Sequence, residues 1–152
     1  MTEGLKKTWT EVVRPLLRRP PQIQVAALCC RDGPAGREVL LITSRDTGRW
    51  ILPKGWLVPG KDAAGSALQE AWEEAGVRAS AIGSAPVGIY HYDKRFDEGY
   101  PAPVEVRIFR VDVTALADRY PERRERERAW VSPAEAAERV DEPELKAILR
   151  DL

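Results

Sequence analysis

The chain has 152 residues, with 24 basic and 24 acidic side chains that cancel to a formal net charge of zero. That length and a 43% hydrophobic content suit one compact domain with a real core and leave little room for a second full domain. The cancelled charge gives no global field for a nucleic-acid polymer or a membrane, so neither is expected as a partner and any electrostatic capture must be local.

The opening segment places Leu5, Trp9, Val12, Val13, Leu16 and Leu17 at helical spacing, interrupted by Pro15 and ended by Arg18-Arg19-Pro20-Pro21. It reads as an N-terminal arm or short docking helix over 1–21. Glu3 and Glu11 argue against a targeting peptide, no secretory signal is evident, and no apolar run reaches the roughly 18 residues of a membrane span, so a cytoplasmic protein is expected. A single domain is expected over 22–152, as a monomer or homodimer.

From Gln22 to Arg31 the chain starts with alternation and turns into a continuous apolar run, the pattern of a buried strand. Within it lie the only cysteines, Cys29 and Cys30, which read as buried thiols in a reducing compartment rather than as a disulfide framework or a zinc site. Asp32 to Gly36 is a turn, and Glu38 to Ser44 is a second strand that pairs with or neighbours the first. Arg49 to Leu52 gives a brief strand. Lys54 to Lys61, with two glycines and a proline, reads as a loop.

Asp62 is the expected N-cap of the helix that follows, and Gly76 suits the left-handed position beyond its end. Ala64, Leu68, Ala71 and Ala75 form its apolar side, with Trp72 flanking. Glu70, Glu73 and Glu74 stand at i, i+3, i+4 on the opposite side. Like charges so placed repel by a few tenths of a kcal/mol per pair, about, and the helix gains nothing from them unless a cation sits among the oxygens.

Strand composition returns in Ala85 to Tyr92 and Val104 to Thr114, separated by a polar loop from Asp93 to Pro103. His91, the sole histidine, lies in the first of these beside Tyr90 and Tyr92, where a structural role is expected. Tyr120 to Arg128 is a charged run, and Ala129 to Val131 a last short strand. Ser132-Pro133-Ala134-Glu135 is a capping box with proline in the first turn, opening a helix to Val140. A further helix over Glu142 to Leu152 carries Leu145, Ile148, Leu149 and Leu152 as its stripe. Strands, a glutamate helix, more strands and terminal helices predict an α+β fold, an α/β/α sandwich with a mixed central sheet between helices.

A cluster of hard carboxylate oxygens beside a glycine-bearing loop is suited to Mg²⁺ or Mn²⁺. The same residues resemble the signature of the Nudix hydrolases, in which a glycine and a loop glutamate precede Arg-Glu-apolar-x-Glu-Glu-x-Gly-apolar. Gly55, Glu70, Ala71, Glu73, Glu74, Gly76 and Val77 fall at the matching positions, and Trp50 to Lys54 looks like the entry to that motif. Lys61 replaces the loop glutamate and Gln69 replaces the arginine. The resemblance implies that Glu73 and Glu74 are metal ligands, that Glu70 is a ligand or a base, and that the Gly55 carbonyl is a further ligand. The implied reaction is hydrolysis of a phosphoanhydride bond, with the three glutamates catalytic.

Arg45 to Gly55, together with Glu122 to Trp130, looks like the diphosphoinositol polyphosphate phosphohydrolase branch of that family. The substrate expected is therefore a small polyphosphorylated molecule, of the diphosphoinositol polyphosphate or dinucleoside polyphosphate type. Arg45, Arg49, Lys54, Lys61, Lys94 and Arg95 are candidate phosphate-binding residues, with Arg107 a further nearby cation, since converging cations make charge-assisted bonds to phosphate. The alternative is a weakened or inactive module of the same fold that binds a phosphorylated ligand, because Gln69 supplies a neutral hydrogen bond where a charged one is expected. A protein whose glutamates are merely solvated is a third reading.

Overall fold

The computed structural model describes residues 21–95 and 101–152. Its strands are β1 Gln22–Gly33, β2 Gly36–Thr43, β3 Trp50–Ile51, β4 Lys54–Trp56, β5 Val77–Ile82, β6 Gly88–Arg95, β7 Pro101–Leu116 and β8 Arg128–Val131; its helices are α1 Ala63–Ala75, α2 Pro133–Arg139 and α3 Pro143–Arg150. One mixed sheet runs β3-β2-β1-β7-β5, with β4 paired to β1, β6 to β7 and β8 to β2. The β1–β7 ladder is parallel and the other pairings are antiparallel.

The apolar run of β1 exists because helices cover both faces of the strand. Ala26, Leu28 and Cys30 face one core, shared with Ala136, Ala137, Leu145 and Leu149 of α2 and α3. Ala27 and Cys29 face the other, shared with Ala71 and Ala75 of α1. Strand β2 repeats the division, with Val39 and Leu41 on the first side and Leu40 and Ile42 on the second. This period of two across a doubly covered sheet is the expected α/β/α sandwich. Both cysteines are buried free thiols; burial holds Cys29 well above the usual thiol range and raises Cys30 as well.

The helix ends fall where their capping residues put them. Asp62 accepts from the Gly65 amide at 2.7 Å, and Gly76 adopts φ 67°, its N–H turned back to the Ala71 and Trp72 carbonyls. Ser132 accepts from the Glu135 amide at 3.1 Å and so fulfils half of the expected capping box. Of the expected α3 stripe, Leu145 and Leu149 are buried and Leu152 is exposed.

Several boundaries differ from the sequence expectation. Lys54–Trp56, expected as loop, pairs in register with β1, with Val25 opposite Gly55. Glycine and proline suggested irregular chain there, but β1 offered an unpaired edge over those residues. Strand β5 was not anticipated; its polar, alternating residues lie along β7 at the sheet margin and need only one buried face. Strands β6 and β7 extend into the expected Asp93–Pro103 loop, where Arg95 pairs with Pro101. Residues 96–100, the centre of that loop, and 1–20, nearly all of the expected arm, lie outside the described residues. Among the described residues no helix is long and apolar enough to cross a membrane.

Candidate active site

Helix α1 lies on β1 through alanines. Ala67, Ala71 and Ala75 are fully buried, and their short side chains let the helix approach the sheet closely. Glutamates flanking such a face are drawn inward with it. Glu74 is buried and Glu70 half-buried, so the acidic side of α1 is turned onto β4 and the 117–127 loop rather than directly away from the packed side.

Gly55 makes room for this. A Cβ at position 55 would stand 2.4 Å from Glu70 Cδ and within 2.7 Å of both its carboxylate oxygens. The Lys54 amide donates to Glu74 Oε2 at 3.2 Å, which fixes that carboxyl against β4. The loop at 57–61 is fastened to the same helix, the Val58 amide donating to buried Ser66 Oγ at 2.9 Å.

The carboxyls interact strongly with one another. The Glu70 carboxyl lies close enough to Glu74 for its charge to help raise Glu74. Burial, with Glu70 adding and Arg126 opposing, pushes the Glu74 carboxyl up to about 8. Glu70 is raised by burial and by Glu73. Glu73 is drawn aside, its Oε1 accepting from Gln69 Nε2 at 2.8 Å, one turn along the helix. In consequence no three acidic, histidine or cysteine side chains converge on one point among the described residues. The donor chemistry still fits a hard divalent cation: Glu70 in its glycine cradle and buried Glu74 on the same strand supply oxygens only, and a cation of that kind would offset the repulsion that raises Glu74.

Sequence reasoning missed two residues that complete this cluster. Helix α1 contains no lysine or arginine, so its compensating cation arrives from the far end of the chain. Arg126, with its side chain only 8% exposed, places Nη2 3.5 Å from Glu74 Oε1 and Nε 3.1 Å from Glu122 Oε1. Its Nη1 donates to the Thr43 carbonyl at 3.1 Å. Glu122 is seated by its own amide, which donates to the Glu73 carbonyl at 2.9 Å. The sequence signals for these two were their i, i+4 spacing and their place in the Glu122–Trp130 run that resembles the diphosphoinositol branch, and neither signal singles them out from a charged, solvated surface.

The candidate phosphate-binding residues divide into separate groups. Lys54 is half-buried with its ammonium 4.9 Å from the Tyr92 ring centre, and burial lowers its pKa to about 8, Glu74 opposing and Lys94 adding. Lys94 stands 5.6 Å from the Trp56 ring centre. Arg49 lies near Lys54 but is paired with Glu142 and Asp141 of the α2–α3 turn. Arg45 belongs to the other side of the cluster, 3.6 Å from Glu122 and 3.4 Å from Glu125. Lys61 sits exposed on a turn with no carboxylate within ion-pair distance among the described residues, and Arg95 is the exposed last residue of β6. Arg107 pairs with Glu105. His91, in β6, is half exposed, with Nδ1 3.1 Å from Glu144 Oε1 of α3.

The glycine-bearing β4, the glutamate helix and the sandwich around them define a family. A model of the NUDIX domain matches residues 21–152, and the chain belongs to that family. Human diphosphoinositol polyphosphate phosphohydrolase 3-alpha is 38% identical over 55 residues, which are 36% of this chain and 34% of that protein. The likeness to this curated relative therefore spans about a third of its length. Among solved structures, the Ap4A hydrolase of C. elegans superposes with a TM-score of 0.60 at 19% identity, over 86% of this chain and 95% of that one. The NUDIX domain of Shewanella oneidensis NrtR, solved with ADP ribose, gives 0.65 at 16% identity over 99% and 98%. At those identities the structures establish the shared fold.

Proposed function

We propose that the protein is a Mg²⁺-dependent hydrolase that cleaves a phosphoanhydride bond in a small polyphosphorylated substrate, of the diphosphoinositol polyphosphate or dinucleoside polyphosphate type. The observation that carries this reading is the seating of the Glu70 carboxyl over the missing Cβ of Gly55, with buried Glu74 held against the same strand by the Lys54 amide. The names of the human relative and of the C. elegans structure support the substrate type.

Glu70 and Glu74 would hold the cation, with Glu73 joining them on leaving Gln69 and the Gly55 carbonyl beside them. Mn²⁺ would serve in the same oxygen-rich place. When bound, the cation supplies neutralisation of the phosphate oxygens and of the charge growing on the leaving group. The chain's own part is to bind and orient. Lys54 and Lys94 reach the phosphates from β4 and β6, and a cation already stripped of much of its water makes the stronger bond to them. A glutamate carboxylate, Glu70 in the first instance, accepts the proton of the attacking water at an Oε atom.

Turnover of a panel of diphosphoinositol polyphosphates and dinucleoside polyphosphates with Mg²⁺, in the wild type and in Glu74→Gln, tests the reading. The substitution is expected to lower the rate at least a hundredfold, and equal rates in the two proteins would remove the proposed site.

A second reading, a ligand-binding module with weakened catalysis, is favoured by one observation: Gln69 holds Glu73 aside with a neutral bond, and Lys61 has no acidic partner among the described residues. Tight ligand binding by calorimetry without product in Mg²⁺ or Mn²⁺ would support it, and rapid hydrolysis would end it. A large rate gain in the double variant Lys61→Glu, Gln69→Arg would show that the native pair limits the chemistry.

A further inference from the structure

Two side chains of β4 and two of β6 reach toward each other on the face of the sheet that α2 and α3 cover. Lys54 and Trp56 stand opposite Ala26 and Gln24 of β1, and Ala26 faces the α2 and α3 core, as Tyr90 and Tyr92 of β6 do. With β1 and β7 between them, β4 and β6 lie three strand spacings apart, roughly 14 Å. Long side chains close that span in two crossed pairs. The Lys54 ammonium stands 4.9 Å from the Tyr92 ring centre, and the Lys94 ammonium 5.6 Å from the Trp56 ring centre. Tyr92 is fixed in turn, its hydroxyl donating to Oε1 of buried Gln24 at 2.7 Å.

Trp56 remains 39% exposed with Lys94 in place, one residue from the Gly55 cradle. An open indole beside two ammoniums suits a flat ring carried on phosphates: the ring stacks on the indole and the phosphates take the ammoniums. Among the described residues β4 pairs only with β1, so its backbone alone separates Trp56 from the side that Glu70 occupies. A phosphate chain reaching from one to the other has only that free edge to cross. The positive charge at these rings is small for an inositol ring phosphorylated at every carbon, which carries about 1.5–2 negative charges per phosphate. Arg49, the other cation near Lys54, is already held by Glu142 and Asp141. Glu74 and buried Glu142 also lie close enough to Lys54 for their charges to act on it.

We infer that Trp56 is a specificity-determining residue of the site, stacking a nucleobase while Lys54 and Lys94 hold the adjoining phosphates, so that the substrate is a nucleoside polyphosphate rather than a diphosphoinositol polyphosphate. The inference rests on the hydrolase reading of the same site and narrows its substrate.

Calorimetry in Mg²⁺ with a methylene-bridged, non-hydrolysable diadenosine tetraphosphate, with inorganic tripolyphosphate and with inositol hexakisphosphate tests this. The wild type is expected to bind the dinucleotide at least fivefold more tightly than either base-free probe. Trp56→Ala is expected to weaken dinucleotide binding at least fivefold while tripolyphosphate binding stays within twofold, a selectivity that general misfolding would not produce. Trp56→Phe, which restores an aromatic face, is expected to bind the dinucleotide within threefold of wild type. Trp72→Ala, which removes an exposed indole on α1, is expected to bind all three probes as the wild type does. Should Trp56→Ala fold poorly, Trp56→Leu keeps apolar bulk without an aromatic face and is expected to show the same selective loss. Dinucleotide binding no tighter than that of the hexakisphosphate, a loss below fivefold in the Ala and Leu variants, or a parallel loss for tripolyphosphate would overturn the inference. Turnover separates the two readings. Cleavage of a diphosphoinositol polyphosphate with diadenosine tetraphosphate left intact would end this inference and keep the hydrolase, whereas selective dinucleotide binding without turnover would end the hydrolase reading and leave the nucleobase site standing.

Discussion

Replacing Arg126 with glutamine removes the one cation within ion-pair distance of Glu74 among the described residues. Both side chains are nearly inaccessible, at 8% and 6% exposure, so solvent screens the pair little. Deleting one partner of such a pair costs about 3–5 kcal/mol when the other stays charged. Glu74, however, is pushed up to about 8, so at neutral pH it holds a proton for most of the time and the pair is only partly ionic. The geometry by itself overstates the interaction there; the raised Glu74 carboxyl and the distance of 3.5 Å both argue for the weaker value.

The effect should therefore depend on pH. At about pH 6 the substitution loses mainly the Glu122 contact at 3.1 Å and the bond to the Thr43 carbonyl, worth about 1.5–3 kcal/mol for bonds made by a charged group. At about pH 9 the Glu74 charge is stranded as well, and about 3–5 kcal/mol is expected. At about 2–4 °C per kcal/mol for a domain of this size, the melting temperature falls by about 3–12 °C at the lower pH and about 6–20 °C at the higher. Thermal melts of wild type and Arg126→Gln in EDTA at both pH values provide the check. A loss below about 1 kcal/mol at both, or a larger loss at pH 6 than at pH 9, would refute the reasoning.

Glu74 also sets the pH dependence of the metal-free protein. Its folded pKa lies above the unfolded value, so its contribution is fully present below about pH 4.5 and is lost as pH rises toward about 8. Melting temperature should fall across that window and fall less in Glu74→Gln. Lys54 acts with the opposite slope and only above about pH 8, because its folded pKa is lowered to about 8 from 10.5. Gly55→Ala forces the Glu70 carboxylate aside, and since that is the flexible end of a side chain, stability should change by less than about 1 kcal/mol while hydrolysis drops at least tenfold; a variant with wild-type turnover would show that the cradle is unimportant. Gly76→Ala should behave in the opposite way. A left-handed alanine there costs about 1–2 kcal/mol, and its Cβ meets the Tyr120 ring at 2.5 Å, so denaturant melts should show a loss of at least about 2 kcal/mol.

Much of the fold was legible because local chemistry and global packing agree. The apolar run of β1, the Asp62 and Gly76 caps and the Ser132 cap each name an element and one of its ends. The strands that were missed or shortened, β4, β5 and the inner ends of β6 and β7, are those whose pairing depends on a neighbour distant in sequence. Their residues carry little apolar periodicity of their own, and backbone pairing with an available edge decided them.

For the candidate site, the sequence by itself determined the acidic triplet, its helix and the glycine upstream, because i, i+3, i+4 spacing on a helix leaves one arrangement. Tertiary structure alone decided how far those carboxyls are buried. The alanine face draws α1 onto β1, the absent Cβ of Gly55 admits Glu70, and a loop some fifty residues on returns Arg126 to Glu74. Charge compensation in a desolvated cluster depends on distance through space, and a sequence records only distance along the chain.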